Sequence, residues 1–176
     1  EVLNNTANIK AAIYSVGDFF HVIPSHLFKK TKFNPFQLKN KLKPIKRNYD
    51  LVLIDSSPSL KEDTMAAMLA SDEIMAVTTP DYSTLATTIK AVRDAKKRGT
   101  PINGLILNKV RNKNFELSVG DIESAADVPV LAVIPDDMNV LRAQAKFIPF
   151  TLEDPRSKGS EELKKLAKPI KTDEEM

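Results

Sequence analysis

The residues best suited to chemistry are Asp55 and the three that follow it, Ser56, Ser57 and Pro58. A carboxylate at the end of a strand, backed by small hydroxyl side chains, is what nucleotide-hydrolysing sites use to hold magnesium through its water shell. The plainer alternative is a loop cap, since many strands close on Asp. Asn108 is the second candidate. Its carboxamide can accept from adenine N6 and donate to a ring nitrogen in one bidentate contact, whereas a turn-forming Asn would do neither. His21 and His26 have no third ligand at metal spacing and read as structural. With no cysteine, thiolate and disulfide chemistry are excluded, which fits a reducing cytoplasm.

The elements that must position these residues follow from apolar spacing. Leu51, Val52, Leu53 and Ile54 run unbroken into Asp55, as in a strand buried on both faces of a parallel sheet. Further strands are expected at Phe19–Ile23, Glu73–Thr78, Leu105–Asn108 and Val130–Ile134. Between them lie helical patterns: the end of a helix at Asn8–Tyr14, then Leu38, Leu42 and Ile45 behind an Asn34-Pro35 start. Others cover Glu62–Ala70, the stripe Leu85, Ile89 and Val92 stopped by Gly99 and Pro101, Leu117–Ala126, and Met138–Ala145 capped by Asp137. A short helix over Ser160–Leu166 precedes Pro169. Alternation of this kind implies right-handed crossovers and an α/β fold, a mostly parallel doubly wound sheet with helices on both faces. No repeat or linker divides the chain, so residues 1–176 read as a single domain, with about 160–176 its terminal helix and tail. The ends Asp55-Ser56-Ser57-Pro58, Thr78-Thr79-Pro80-Asp81, Asn108-Lys109-Val110-Arg111 and Ile134-Pro135-Asp136-Asp137 all fall on one edge. In such a sheet ligands bind at that edge.

Composition sets the bounds. At 42% apolar and 28% charged over 176 residues, the chain is an ordinary globular sequence with one core. No apolar run approaches the roughly 18 residues of a membrane span, and no signal peptide is expected from these residues. What is missing is a phosphate cradle. Gly-x-x-x-x-Gly-Lys-Ser/Thr does not occur, and Gly17, Gly99, Gly104, Gly120 and Gly159 are scattered singly, so successive N–H groups cannot converge on phosphate oxygens. The opening on Glu1 reads as the trimmed remainder of a longer protein, the alternative being a domain that never had the loop.

Leu53-Ile54-Asp55-Ser56-Ser57-Pro58-Ser59-Leu60, Val77-Thr78-Thr79-Pro80-Asp81, Leu107-Asn108-Lys109-Val110 and Val133-Ile134-Pro135-Asp136-Asp137 resemble, in order and spacing, the MinD/ParA family of deviant-Walker ATPases, archaeal MinD-like proteins above all. The likeness runs from about Val2 to Leu166. It implies a P-loop NTPase-like fold lacking its first βα units, roughly 60–80 residues, and with them the phosphate loop and a first-switch Asp. By the same resemblance Asp55 is the Walker B acid acting on Mg2+ through water. Ser56, Ser57 and Pro58 match the switch that senses the γ-phosphate, and Asn108, Pro135 and Asp137 match the adenine loops. The implied function is ATP binding and hydrolysis that switches a sandwich homodimer, with a protein partner of MinC/MinE or ParB type, to position a division site, a chromosome or plasmid, or an appendage. The chain made alone is expected to be poorly soluble or molten and inactive, because edges of its sheet would stand open.

Two departures from the family matter. Phe147 stands where members often carry Gly in a turn, so the turn is expected to differ, or Phe147 to pack outward against a partner. The C-terminal segment turns acidic at Asp173-Glu174-Glu175 and lacks an aromatic anchor after Pro169, which argues against membrane docking by this tail. From Lys29 to Arg47 the chain carries Lys29, Lys30, Lys32, Lys39, Lys41, Lys43, Lys46 and Arg47 with no acid, interleaved with Phe33 and Phe36. This is either a surface for DNA backbone or a solvated helix face opposite Leu38, Leu42 and Ile45; only the first would lose its hold on DNA as salt rises. Two functional classes compete with the ATPase: a non-hydrolysing adaptor with a degenerate nucleotide site, and a metabolic enzyme of the wider family such as an amidoligase or an iron–sulfur scaffold. The last is disfavoured by the absence of cysteine.

Overall fold

The computed structural model describes residues 2–25, 33–57 and 61–170. The chain divides into two compact units, one ending at Asp72 and the other beginning at Glu73. Each is built on its own logic.

In the N-terminal unit, two short 3-10 helices, Val2–Asn4 and Ile9–Ala12, precede a two-stranded antiparallel hairpin of β1 (Tyr14–Ser15) and β2 (His21–Val22). The helix end expected at Asn8–Tyr14 is therefore a single 3-10 turn, capped by the Asn8 side chain accepting from Lys10 N at 2.9 Å. The strand expected at Phe19–Ile23 keeps only its centre, and it pairs antiparallel. Helix α1 (Gln37–Lys46) follows Asn34, whose side chain accepts from Phe36 N at 3.0 Å. It packs against α2 (Glu62–Ala70), burying Ile45, Ala66, Ala67 and Met68. Residues 51–57 form no strand. Leu51 and Leu53 are exposed, Leu53 by 72%. The physical reason is that an extended run becomes a strand only where neighbours take up its N–H and C=O groups. Among the described residues of this unit, β1 with β2 is the only ladder.

The C-terminal unit carries the parallel sheet. Strands β3 (Ile74–Thr78), β4 (Ile102–Val110) and β5 (Val130–Pro135) lie in the order β3-β4-β5, all parallel. Helices α3 (Tyr82–Lys97) and α4 (Val119–Ala126) make the crossovers. Leu85 and Val92 of α3, Leu105 and Leu107 of β4 and Ile122 and Ala126 of α4 form one buried cluster, which Val133 of β5 joins. Successive side chains of a strand face opposite ways, so Ile134 looks to the other face, where a Cβ on Gly159 would lie 3.9 Å from its Cγ2. Gly159 belongs to α7 (Lys158–Ile170), reached through α5 (Met138–Ala145) and the single turn α6 (Phe150–Glu153). The sheet thus has helices on both faces, as an α/β fold requires.

The cap expected at Asp137 forms in this unit, and Asp81 and Ser118 cap α3 and α4 as well. Asp81, Ser118 and Asp137 accept from the N–H groups of Thr84, Asp121 and Asn139 at 2.9, 3.1 and 2.8 Å, satisfying donors a helix start leaves open. Gly104 sits in β4 at φ 157°, where an added Cβ would come within 2.4 Å of the Pro129 carbonyl oxygen. Only glycine fits that approach. One expectation is corrected here, and of the two alternatives for Phe147 the altered turn is not the one found. Helix α7 runs through Pro169 to Ile170 and is not broken before it. Phe147 itself takes the left-handed conformation, φ 55°, and is 97% exposed, so the turn that a glycine would favour is made by a phenylalanine.

Candidate functional site

The parallel arrangement brings Thr79, Asn108, Pro135 and Asp137 to the carboxyl edge of one three-stranded sheet. Asn108 lies within β4, which runs two residues past the expected end. There the register slips: Leu107 pairs with Val133, but Val110 pairs with Pro135, so β4 spends one residue more than β5 over the same rise. Lys109 absorbs the excess at φ 56°. Such a bulge re-aims the side chains beside it and is enriched next to sites. The Asn108 Oδ1 accepts from Lys109 N at 3.0 Å, which uses one acceptor position and leaves the amide N–H groups for a ligand.

Polar bonds hold this edge in shape. Arg111 Nε donates to Asp136 Oδ2 at 2.6 Å, linking the loops after β4 and β5, and Asp136 N donates to the Val110 carbonyl at 2.9 Å. The hydrogen bond and charge of Asp136 hold the Arg111 guanidinium more firmly protonated than usual. The Glu116 carboxylate accepts from Arg111 N at 3.0 Å and Lys113 N at 3.1 Å. Desolvation pushes its carboxyl up, but those N–H groups and Arg111 outweigh it, and it titrates below the ordinary carboxylate range. Leu117 N donates to the Pro80 carbonyl at 3.0 Å, tying in the loop after β3. In that loop the Thr79 hydroxyl and Thr84 N–H both donate to Asp81, at 2.5 and 2.9 Å, and lower its carboxyl. A cleft of about 190 Å³ opens here, lined by Val110, Asn112, Val133, Pro135, Lys158 and Glu162. Pro135 lines it; the Asp137 carboxylate is engaged in capping α5.

Asp55, Ser56 and Ser57 lie in the N-terminal unit, and Pro58 falls outside the described residues. Asp55 is exposed and its carboxylate has no partner among the described residues. Ser57 is held on two sides: its hydroxyl donates to Asp63 Oδ2 at 2.9 Å, and the Thr64 hydroxyl donates to its carbonyl at 3.0 Å. Among the described residues no three His, Cys, Asp or Glu side chains form a metal-binding group. An uncommitted single carboxylate does fit magnesium, which dehydrates reluctantly and is commonly held by one or two carboxylates, waters and substrate phosphates. Of the basic run, Lys29, Lys30 and Lys32 lie outside the described residues, as does His26. Lys41 donates to Asn5 Oδ1 at 2.5 Å and Lys46 pairs with Asp72, while Lys39 and Lys43 of α1 and Arg47 just after it are exposed. His21 Nδ1 lies 2.9 Å from the Tyr49 hydroxyl, a structural contact.

Sequence reasoning missed the bulge, the Arg111–Asp136 bridge and the grip of Asp63 and Thr64 on Ser57. A lysine at positive φ carries no composition signal, and the other two need spatial pairing.

Comparison with known proteins bears on the family and the fold. Residues 1–103 match a family described as AAA domain. An uncharacterized ATP-binding protein of Methanocaldococcus jannaschii is 32% identical over 169 residues, 95% of this chain and 64% of that protein. The chain therefore spans somewhat under two thirds of that relative's length. The septum site-determining protein MinD from Pyrococcus horikoshii, solved in complex with Mg-ADP, superposes with a TM-score of 0.87 at 32% identity, covering 97% of this chain and 72% of the other. The cell division ATPase MinD of Pyrococcus furiosus gives 0.86 at 34% identity, covering 96% and 73%.

Proposed function

The chain belongs to the MinD/ParA family of P-loop ATPases, and from that premise we propose that it binds ATP with magnesium and takes part in hydrolysis that switches a positioning machine. The observation that carries the reading is the bulge at Asn108 and Lys109, set on the carboxyl edge beside Pro135 and the cleft it lines. Asn108 would address the adenine edge through its carboxamide, and Pro135 would form a wall of the base pocket. Asp137 would shape that pocket by fixing the start of α5. Asp55 would orient magnesium through a water, with Ser56 and Ser57 beside the terminal phosphate. Magnesium bound there supplies neutralisation of charge developing on the transferred phosphoryl group. On this reading this chain's own residues orient and hold the nucleotide. On this reading ATP closes a homodimer, and a protein partner of MinC/MinE or ParB type reads the closed state to position a division site or a replicon.

The test is ATP turnover in the intact protein. Asp55→Ala is expected to abolish it, and Asn108→Ala to raise KM for ATP about tenfold with a smaller change in kcat. Unchanged turnover in Asp55→Ala would mean the acid is wrongly assigned. ATP binding without turnover in the unsubstituted protein would favour an adaptor. The exposed stripe of Lys39, Lys43 and Arg47 reads as the solvated face of α1, opposite Ile45.

A further inference from the structure

We propose that Asp63 is a positioning residue for the segment that carries Asp55, holding Ser57 by its hydroxyl while Thr64 holds the same residue by its carbonyl. The inference rests on the reading of Asp55 as the magnesium acid. Its basis is a contrast along three residues. Asp55 and Ser56 are exposed and have no partner among the described residues. Ser57, immediately after them, is bound from both its side chain and its main chain, at 2.9 and 3.0 Å. The two residues that hold it are consecutive members of the first turn of α2, and Thr64 is buried. Helix α2 begins after Lys61, which makes no side-chain cap. Its first turn therefore reaches back to the Asp55 segment.

Geometry turns this grip into a constraint. Two residues of fully extended chain span at most about 7 Å, so anchoring Ser57 on a packed helix confines Asp55 to that radius of a fixed point. The carboxylate can then adjust to a water shell without wandering from it. The bond also sets the polarity of Ser57, since its proton goes to Asp63. Asp63 is ionised at neutral pH. Desolvation raises its carboxyl, and the Ser57 hydroxyl, the Thr64 and Asp63 N–H groups and Lys61 outweigh that effect.

The proposal is tested on the intact protein with Asp63→Ala, Asp63→Asn, Ser57→Ala and the Ser57→Ala/Asp63→Ala pair. Asp63→Ala should lower kcat about tenfold and leave KM for ATP within about twofold, because positioning is lost while the base pocket is untouched. Asp63→Asn keeps an acceptor oxygen and should recover most of the rate. The pair should be no slower than either single variant, as for two members of one bond. Without nucleotide, the amide order parameters of Ser56 and Ser57 should fall from about 0.85 to below about 0.6 in Asp63→Ala and return in Asp63→Asn. Order parameters unchanged in Asp63→Ala, or multiplicative rate losses in the pair, would overturn the proposal. If Asp63→Ala fails to fold, Ser57→Ala decides, since it leaves the start of α2 intact; an unchanged kcat there also overturns it. Full turnover in Asp55→Ala would instead overturn the assignment of the acid itself.

Discussion

Leu51–Ile54 and Leu105–Leu107 are apolar runs of similar composition that meet opposite fates. In the C-terminal unit, Leu105 and Leu107 sit in a strand paired on both sides and are 0% and 1% exposed. In the N-terminal unit the run before Asp55 belongs to no ladder, and Leu53 is 72% exposed. Hydrophobicity alone does not make a strand; paired neighbours do, because each backbone N–H and C=O needs a partner before apolar burial becomes favourable. The unit holding the candidate base pocket has a closed core, and the one holding the candidate magnesium acid has a smaller core with that acid on an unpaired segment.

The sharpest way to break this contrast is truncation of one leucine from each run. Leu105→Ala should destabilise the C-terminal unit by about 2–5 kcal/mol, since it removes a fully buried side chain next to Leu85, Val92 and Ile122. Leu53→Ala should change stability by no more than about 0.5 kcal/mol. Denaturant unfolding followed by amide signals from each unit measures both. Comparable losses would mean that Leu53 is packed in solution and that its run is a strand after all.

The same contrast explains what could be read from the residues alone. The alternation of elements was legible, and α2 and α5 fall on their expected ranges because helical spacing and caps are local. Strand β3 was legible within a residue, and β5 likewise, since both are short apolar runs beside parallel partners. The segment 51–57 was not, because its fate depends on neighbours and not on its own composition. Of the candidate site, Pro135 closes its strand as expected, while Asn108, expected at a strand end, lies within β4 two residues before its end. The bulge that places Asn108 was invisible, because it depends on the register against β5. Asp63 carries no signal either, since an acid in the first turn of a helix is common for dipole reasons alone.

A middle-sized effect separates the two units by pH. Asp81 caps α3 in the C-terminal unit, and the Thr79 hydroxyl, with the N–H and hydroxyl of Thr84, depresses its carboxyl. A carboxyl depressed on folding contributes stability that is present above its unfolded pKa and lost as pH falls through the lower folded one. Asp81→Ala should cost about 1 kcal/mol at neutral pH and flatten the acid limb of unfolding for that unit. Asp81→Asn should keep most of the cap and flatten the same limb. A stability-against-pH curve with its acid limb unchanged in both variants would show that the cap does not form.

The smallest effect has the opposite sign. Phe147 holds φ 55° directly after α5, its N–H donating to the Gln144 carbonyl at 3.0 Å, while its ring is 97% exposed. A bulky residue in the left-handed region carries backbone strain of order 1 kcal/mol, and a ring that touches almost nothing returns little by burial. Lys146 and Glu153, paired at 2.5 Å, bracket the turn and keep its path. Phe147→Gly should therefore stabilise the C-terminal unit, by up to about 0.5 kcal/mol once the greater freedom of glycine in the unfolded chain is counted. That gain would make Phe147 a residue kept at a cost to folding. A loss on the same substitution would mean that the ring is buried against something in solution, and that the closed core of this unit extends further than its sheet and helices indicate.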